Sequence, residues 1–381
     1  MKKTDLRHLL PVLFGFFIMG FCDIVGVATS YVKTEFELSE TLAGLIPSMV
    51  FLWFLILAIP TSLLMRRIGR RKMVIAGNVI TLAGMLIPLI SFTFPACLAA
   101  FALLGIGNTI LQVALNPLLT DVVDGKALSS SLTAGQVIKA VSSFSGPFIV
   151  TFAVSLFGDW KMMFPVFAVL SMISALWLAM TPIQESSEGS STGFRQVFSL
   201  LSDKTILMFF IGIVCVVGVD VGINTLAPKI LMERLGLPMT EAGFGSSLYF
   251  LCRVAGAFIG TFLLTRISDR RYYTIHSALG IVVILLLAFA DGRLMLMALL
   301  GASGYAFSSI FSVLYSQAMK HRPANADEIS GLMITGVFGG ALVPPLMGVM
   351  TDLIGSQTGS VIVIGVFAIY LLMCSFKFKK D

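Results

Sequence analysis

A chain of 381 residues with 57% hydrophobic and only 12% charged positions cannot clothe a soluble surface of its size, because soluble domains carry about 25% charged residues. Its formal net charge of +6 needs no nucleic acid to explain it, since the basic residues sit in short turns between long apolar blocks. Insertion and anionic headgroups account for them there.

The apolar blocks each approach the roughly 20 residues needed to cross a bilayer. They predict an all-α membrane protein of twelve helices, over 9–32, 41–64, 73–92, 95–120, 129–156, 162–181, 204–228, 240–266, 272–290, 293–318, 327–353 and 358–378. Strands of a membrane barrel would be half as long and alternate in polarity. The first block has a basic flank, as a signal peptide does, but it exceeds an h-region and lacks a small-residue cleavage site. It stays as the first helix. The set of alternate loops that includes both termini holds nineteen Lys and Arg residues and the opposite set five, with Lys139 and Arg253 inside helices. Both termini are therefore expected in the cytoplasm.

In chain order, the first helix carries Asp23 within "GFCDIVGVATSYVK", at an insertion cost of about 2.5–3.5 kcal/mol. The turn "RRIGRRK" follows the second helix. The fourth carries Asn108, Gln112 and Asn116 at four-residue spacing, hence on one face. The fifth carries Gln136 and Lys139, the seventh Asp220 and Asn224, and the eighth Tyr249 and Arg253. Amide stripes suit a hydroxyl-rich substrate, and they also serve as hydrogen-bonded glue between membrane helices. Glue is the reading for Asn108, substrate contact that for Gln112 and Gln136. Trp53 and Tyr249 are candidate stacking faces for a sugar, or packing. The five cysteines lie scattered in apolar helices without metal-ligand or redox spacing and read as small buried hydrophobes.

One long polar connector, 182–203, divides the chain into an amino-terminal half, 1–181, and a carboxy-terminal half, 204–381. Its Ser/Gly-rich first part reads as a linker and Phe194–Leu201 as an interfacial helix. The halves repeat each other. "CDIVGVATS…TLAG" recurs as "VDVGINTLA…TEAG", pairing Asp23 with Asp220, and the basic turn at 66–72 falls on "TRISDRR" at 265–271. Such internal repeats build alternating access in transporters, with the substrate held near mid-depth. Six plus six helices around a central cavity is the arrangement of the major facilitator superfamily.

Several stretches resemble one branch of that superfamily, the fucose:proton symporter-like sugar transporters. Asp23 falls on the acid of the family's "N-D-I-L" segment, and "LQVALNP" is similar to "LETAANP", matching Asn116 and Pro117. "CRVAGAFIG" resembles "GRFIG" and places Arg253 on its arginine; "SSIFS" and "GGALVPPLMG" resemble "TIFS" and "GGAIIPxxMG". The superfamily's exporter signature carries an acid before Arg-x-Gly, where this chain has Arg66. Gln112 and Lys139 stand where the family has a second carboxylate and an asparagine. The resemblance implies proton-coupled uptake of a monosaccharide such as fucose, glucose or galactose, with no cofactor beyond the proton gradient. It implies a multi-pass protein of the bacterial inner membrane that works as a monomer. The partners expected are a small sugar, protons and lipid, and no nucleic acid.

At about 1.5 Å per residue, Asp23 lies roughly 21 Å along its helix and Lys139 roughly 15 Å along its own, so both reach mid-depth. An ion pair between them is expected, either as a permanent brace or as a proton-driven switch in which Asp23 takes the proton. A second reading makes Lys139 a site for an anionic sugar or other organic anion. Asp220 and Arg253 form the corresponding pair in the second half, structural or in contact with substrate. Asp23, Lys139 and Asp220 are the expected proton-coupling residues. The same three, together with Gln112, Asn116, Gln136, Asn224, Tyr249 and Arg253, make the expected substrate site. A drug or metabolite exporter is the runner-up. An enzyme is not expected, because no His cluster, nucleotide-binding glycine loop or Ser/His/Asp set is present.

Overall fold

The computed structural model describes residues 6–123, 125–185, 194–264, 266–322 and 325–378, and these contain helices and turns but no strand. Eleven helices are long and apolar enough to span a bilayer: α1 Leu6–Glu35, α2 Glu40–Met65, α3 Arg70–Ile90, α4 Phe94–Leu119, α5 Ala134–Phe157, α6 Trp160–Met180, α7 Lys204–Leu235, α8 Met239–Leu263, α9 Asp269–Phe289, α10 Arg293–His321 and α11 Gly331–Ile354. The twelfth, α12 Thr358–Cys374, has 17 residues and is extended by a 3-10 turn, Ser375–Lys377. Helices suit a bilayer because each satisfies its own backbone groups where no water can. Phe152, Leu176, Phe262, Leu285 and Val366 are each more than half exposed, which a lipid surround accepts and water would not. Within the connector, Phe194–Ser199 is helical as expected, while 186–193 lies outside the described residues.

The seventh helix is longer than its sequence suggests. Its expected end, residue 228, falls where the apolar block meets Lys229, and Pro228 there removes one backbone donor and crowds the carbonyl four residues back. That carbonyl, of Asn224, instead accepts a hydrogen bond from Ser246 Oγ at 3.0 Å. The helix continues to Leu235 and closes at Gly236 in the left-handed region, φ 61°. Lys229 and Arg234, expected in a loop, therefore stand on its last two turns.

Several spans are interrupted among the described residues: α2 and α8 break near their starts at Gly44 and Gly243, α6 opens on a 3-10 turn, and three others change further along. α1 passes through a 3-10 turn at Gly20–Ile24, α10 breaks between Phe307 and Ile310, and α11 passes through a 3-10 turn at Gly336–Phe338. The α1 break coincides with a close crossing. A Cβ on Gly20 would lie 2.5 Å from Ser142 Cβ and 2.6 Å from the Lys139 carbonyl oxygen, so α1 meets the backbone of α5 there.

By contacts the chain forms two compact units, Met1–Ile24 with Ile56–Ser191 and Val25–Leu55 with Thr192–Asp381. The first packs Phe21 on Phe167, ring centres 4.4 Å apart, and ties α3 to α6 by Asn78 Nδ2 donating to Ser174 Oγ at 2.9 Å. The second is built on α7, with α8, α10, α11 and α12 packed around it. Its members include the second part of α1 and the first part of α2.

Candidate functional site

In the first unit, the change of helix type in α1 exposes carbonyl groups that need donors. Met19 O receives Asn108 Nδ2 at 2.6 Å and Cys22 Sγ at 3.3 Å. Gln112 Nε2 then donates to Asn108 Oδ1 at 3.0 Å. Asn108 is thus glue, as expected, and Gln112 is tied to it rather than held wholly for a ligand. The turn presents Asp23 to α5, where Ser143 Oγ donates to its Oδ2 at 2.5 Å; the same hydroxyl lies 3.0 Å from Lys139 O. Cys22 Sγ lies 3.5 Å from Asp23 Oδ1.

The expected Asp23–Lys139 ion pair is not formed. The register of the α1–α5 crossing explains why: the Lys139 backbone abuts Gly20, and Ser143, one turn further along α5, is the residue that reaches Asp23. The Lys139 side chain is half-buried, and among the described residues its ammonium makes no ion pair. Asn116 and Gln136 are exposed within their spans, and their amides make no hydrogen bond among the described residues. The first unit therefore brings together Asp23, Asn108, Gln112 and Ser143, and offers Asn116, Gln136 and Lys139 uncommitted.

In the second unit Asp220 lies on an unbroken stretch of α7. Arg253 Nη1 reaches its Oδ2 at 2.8 Å, and the Tyr249 hydroxyl donates to Oδ1. Tyr249 and Arg253 are four apart on α8, so both face one carboxylate. The expected pair forms, with an added partner. The Tyr249 ring is fully buried, so it offers no stacking face in this conformation; its hydroxyl serves Asp220 instead. Asn224, one turn beyond Asp220, is buried, and a Cβ on Gly26 would collide with its amide. Trp53 is half-buried on α2.

A third cluster was not legible in the sequence. Glu40, at the start of α2, takes Lys33 Nζ at 2.7 Å on one oxygen and Lys229 Nζ on the other. Gln357 Nε2 adds a hydrogen bond at 2.8 Å. Beside it, Asp352 accepts from the backbone N–H of Glu40 and of Thr41, at 3.0 and 2.8 Å. Two lysines against two carboxylates, Glu40 and Asp352, make a charge-compensated brace inside this unit. Only Lys33 is near Glu40 in the chain; Lys229 is 189 residues away and Gln357 is 317.

The basic turns have local partners. Arg70 pairs with Asp121 at 2.8 Å, and the Glu185 carboxylate accepts from the backbone N–H groups of Arg70 and Arg71. In the second unit, Asp203 caps α7 and pairs with Arg322 at 2.8 Å. Burial alone would raise the Asp203 carboxyl, but the N–H groups of Thr205 and Ile206 and the adjoining His321 hold it below its ordinary value.

Twelve apolar helices, an internal repeat and ionisable groups at mid-span define a polytopic membrane carrier rather than an enzyme. The family model described as Major Facilitator Superfamily matches residues 12–239 and again 208–381, and the chain belongs to that superfamily. A glucose/galactose transporter of Brucella abortus biovar 1 (strain 9-941) is 25% identical over 360 residues, 89% of this chain and 86% of that protein. The L-fucose-proton symporter of Escherichia coli (strain K12) is 22% identical over 386 residues, 91% and 87% of the two chains. A crystal structure of the E. coli fucose:proton symporter shares the fold, with TM-score 0.69, 16% identity and full coverage of both chains.

Proposed function

We propose that the protein is a secondary active transporter that takes up a monosaccharide together with protons by alternating access. The observation that carries this reading is Asp23, a mid-span carboxylate presented by a break in α1 and held by a hydroxyl and a thiol. Interrupted helices are where transporters of this kind place substrate and coupling ions. An ionisable group inside a membrane span is a candidate for proton movement. The uncommitted amides of Asn116 and Gln136, with Lys139 nearby in the same unit, supply the donors and acceptors a sugar needs. The relatives named for glucose, galactose and L-fucose support that substrate class.

In this reading the repeat halves, 1–181 and 204–381, are the moving bundles, and Asp220 with Arg253 braces the second. The protein works as a monomer in the bacterial inner membrane, both termini cytoplasmic, with the proton gradient as its energy source. A second reading, transport of an anionic sugar or other organic anion, is favoured by the Lys139 ammonium, which lacks an ion-pair partner among the described residues. Uptake of labelled glucose, galactose and fucose into proteoliposomes tests both. An inward proton gradient should accelerate accumulation of a neutral sugar; indifference to all three, with competition by sugar acids alone, would favour the anion.

A further inference from the structure

A separate site lies where the start of α9 meets the end of α12. An open cleft of about 710 Å³ there is lined by Arg270 and Arg271, by the hydroxyl residues Ser268, Thr274 and Ser375, and by Ile275 and Phe376. That volume falls in the range of small-molecule sites, about 300–1,000 Å³. No carboxylate lines the cleft. The acids nearby in the fold are engaged elsewhere: Asp269 by Lys320 and Gln317, and Asp203 by Arg322.

Neither arginine side chain makes a hydrogen bond or ion pair among the described residues. Two like charges on one cleft with no carboxylate among its lining residues suit a counter-anion, and the planar fork of arginine matches a phosphate. Ser375 is 3% exposed, and its hydroxyl has no hydrogen-bond partner among the described residues although it lines the cleft. Ser268 and Thr274, by contrast, are tied to the backbone of Arg271 and Arg270.

The walls that lead away from the cleft are apolar. Ile275, Leu279 and Val282 share one exposed face of α9; Ile369, Met373 and Phe376 share one exposed face of α12. A cationic, hydroxyl-bearing head pocket at the end of a two-helix apolar wall has the chemistry of one occupant. We propose that this cleft binds the headgroup of an anionic phospholipid, its phosphate on Arg270 and Arg271 and its acyl chains along α9 and α12. Basic pockets between helices at the membrane surface recognise anionic headgroups in this way. A free phosphate would satisfy the arginines but leave the apolar walls without a role.

The test is native mass spectrometry of the purified full-length protein, delipidated and titrated with phosphatidylglycerol or with phosphatidylcholine of the same chains. Wild type should prefer phosphatidylglycerol, and each arginine should contribute about fivefold to that preference. Arg271→Gln should lose about fivefold and the double variant Arg270→Gln/Arg271→Gln the product of the two. Arg67→Gln, in the other basic turn, should keep the preference. Arg271 is exposed, so its single substitution does not depend on the double variant folding. An unchanged preference in Arg271→Gln would overturn the proposal. So would displacement of phosphatidylglycerol by equimolar glycerol phosphate, which would mark a site for soluble anions instead.

Discussion

Asp23 and Asp220 are repeat-mates, yet their surroundings share little. Asp23 stands in a 3-10 turn, held by a serine hydroxyl from α5 and the adjacent cysteine thiol. Asp220 stands in a continuous helix, each oxygen served by α8, one by an arginine and one by a tyrosine. A guanidinium at 2.8 Å ties α8 to α7 through Asp220, the geometry of a brace. Asp23 instead receives the Ser143 hydroxyl from α5, and in the proposed reading it is the acid that exchanges a proton. In that reading the two repeat-mates divide the work, Asp220 bracing and Asp23 carrying the proton.

That division can be broken from either side. The largest stability effect is expected for Arg253→Ala. It leaves the Asp220 carboxylate without its cation, at about 3–5 kcal/mol for a fully buried pair and less here, because the Arg253 side chain is 32% exposed. Denaturant unfolding in detergent reads the loss, and Asp220→Asn in the same background should recover part of it. If Arg253→Ala unfolded like wild type, the bracing role of Asp220 would be lost. Asn108→Ala should cost less, about 1–3 kcal/mol, because it strips a donor from the buried Met19 carbonyl and leaves Gln112 without its acceptor. Its sharper signature is local: faster hydrogen exchange in Gly20–Ile24 than in the corresponding stretch of α7. Equal exchange in the two would show that the turn does not depend on Asn108.

The sequence and the structure agree where the physics is local. Long apolar blocks predict helices because a bilayer demands them, and all twelve extend over most of their expected ranges. The Asp220–Arg253 pair was readable because both are isolated mid-span charges of opposite sign on consecutive helices. The Asp23–Lys139 pair was not, since depth along two helices leaves their rotational register open, and a close crossing at Gly20 moved the contact to Ser143. The end of α7 was misread at residue 228, where the apolar block meets Lys229; the helix continues through Pro228, with the Asn224 carbonyl taken by Ser246 on another helix. Glu40 gave no signal: it sits at a helix start among polar residues, and two of its three partners are remote in the chain.

The account rests on Asp23 as the site where proton and sugar movements are coupled. The most direct measurement compares wild type with Asp23→Asn in proteoliposomes preloaded with a transported sugar, in two modes. Asp23→Asn should still exchange sugar across the membrane at equilibrium while losing at least about tenfold in gradient-driven accumulation, as removal of a proton-binding group from an otherwise intact carrier requires. Accumulation driven by the proton gradient at the wild-type level in Asp23→Asn would contradict it.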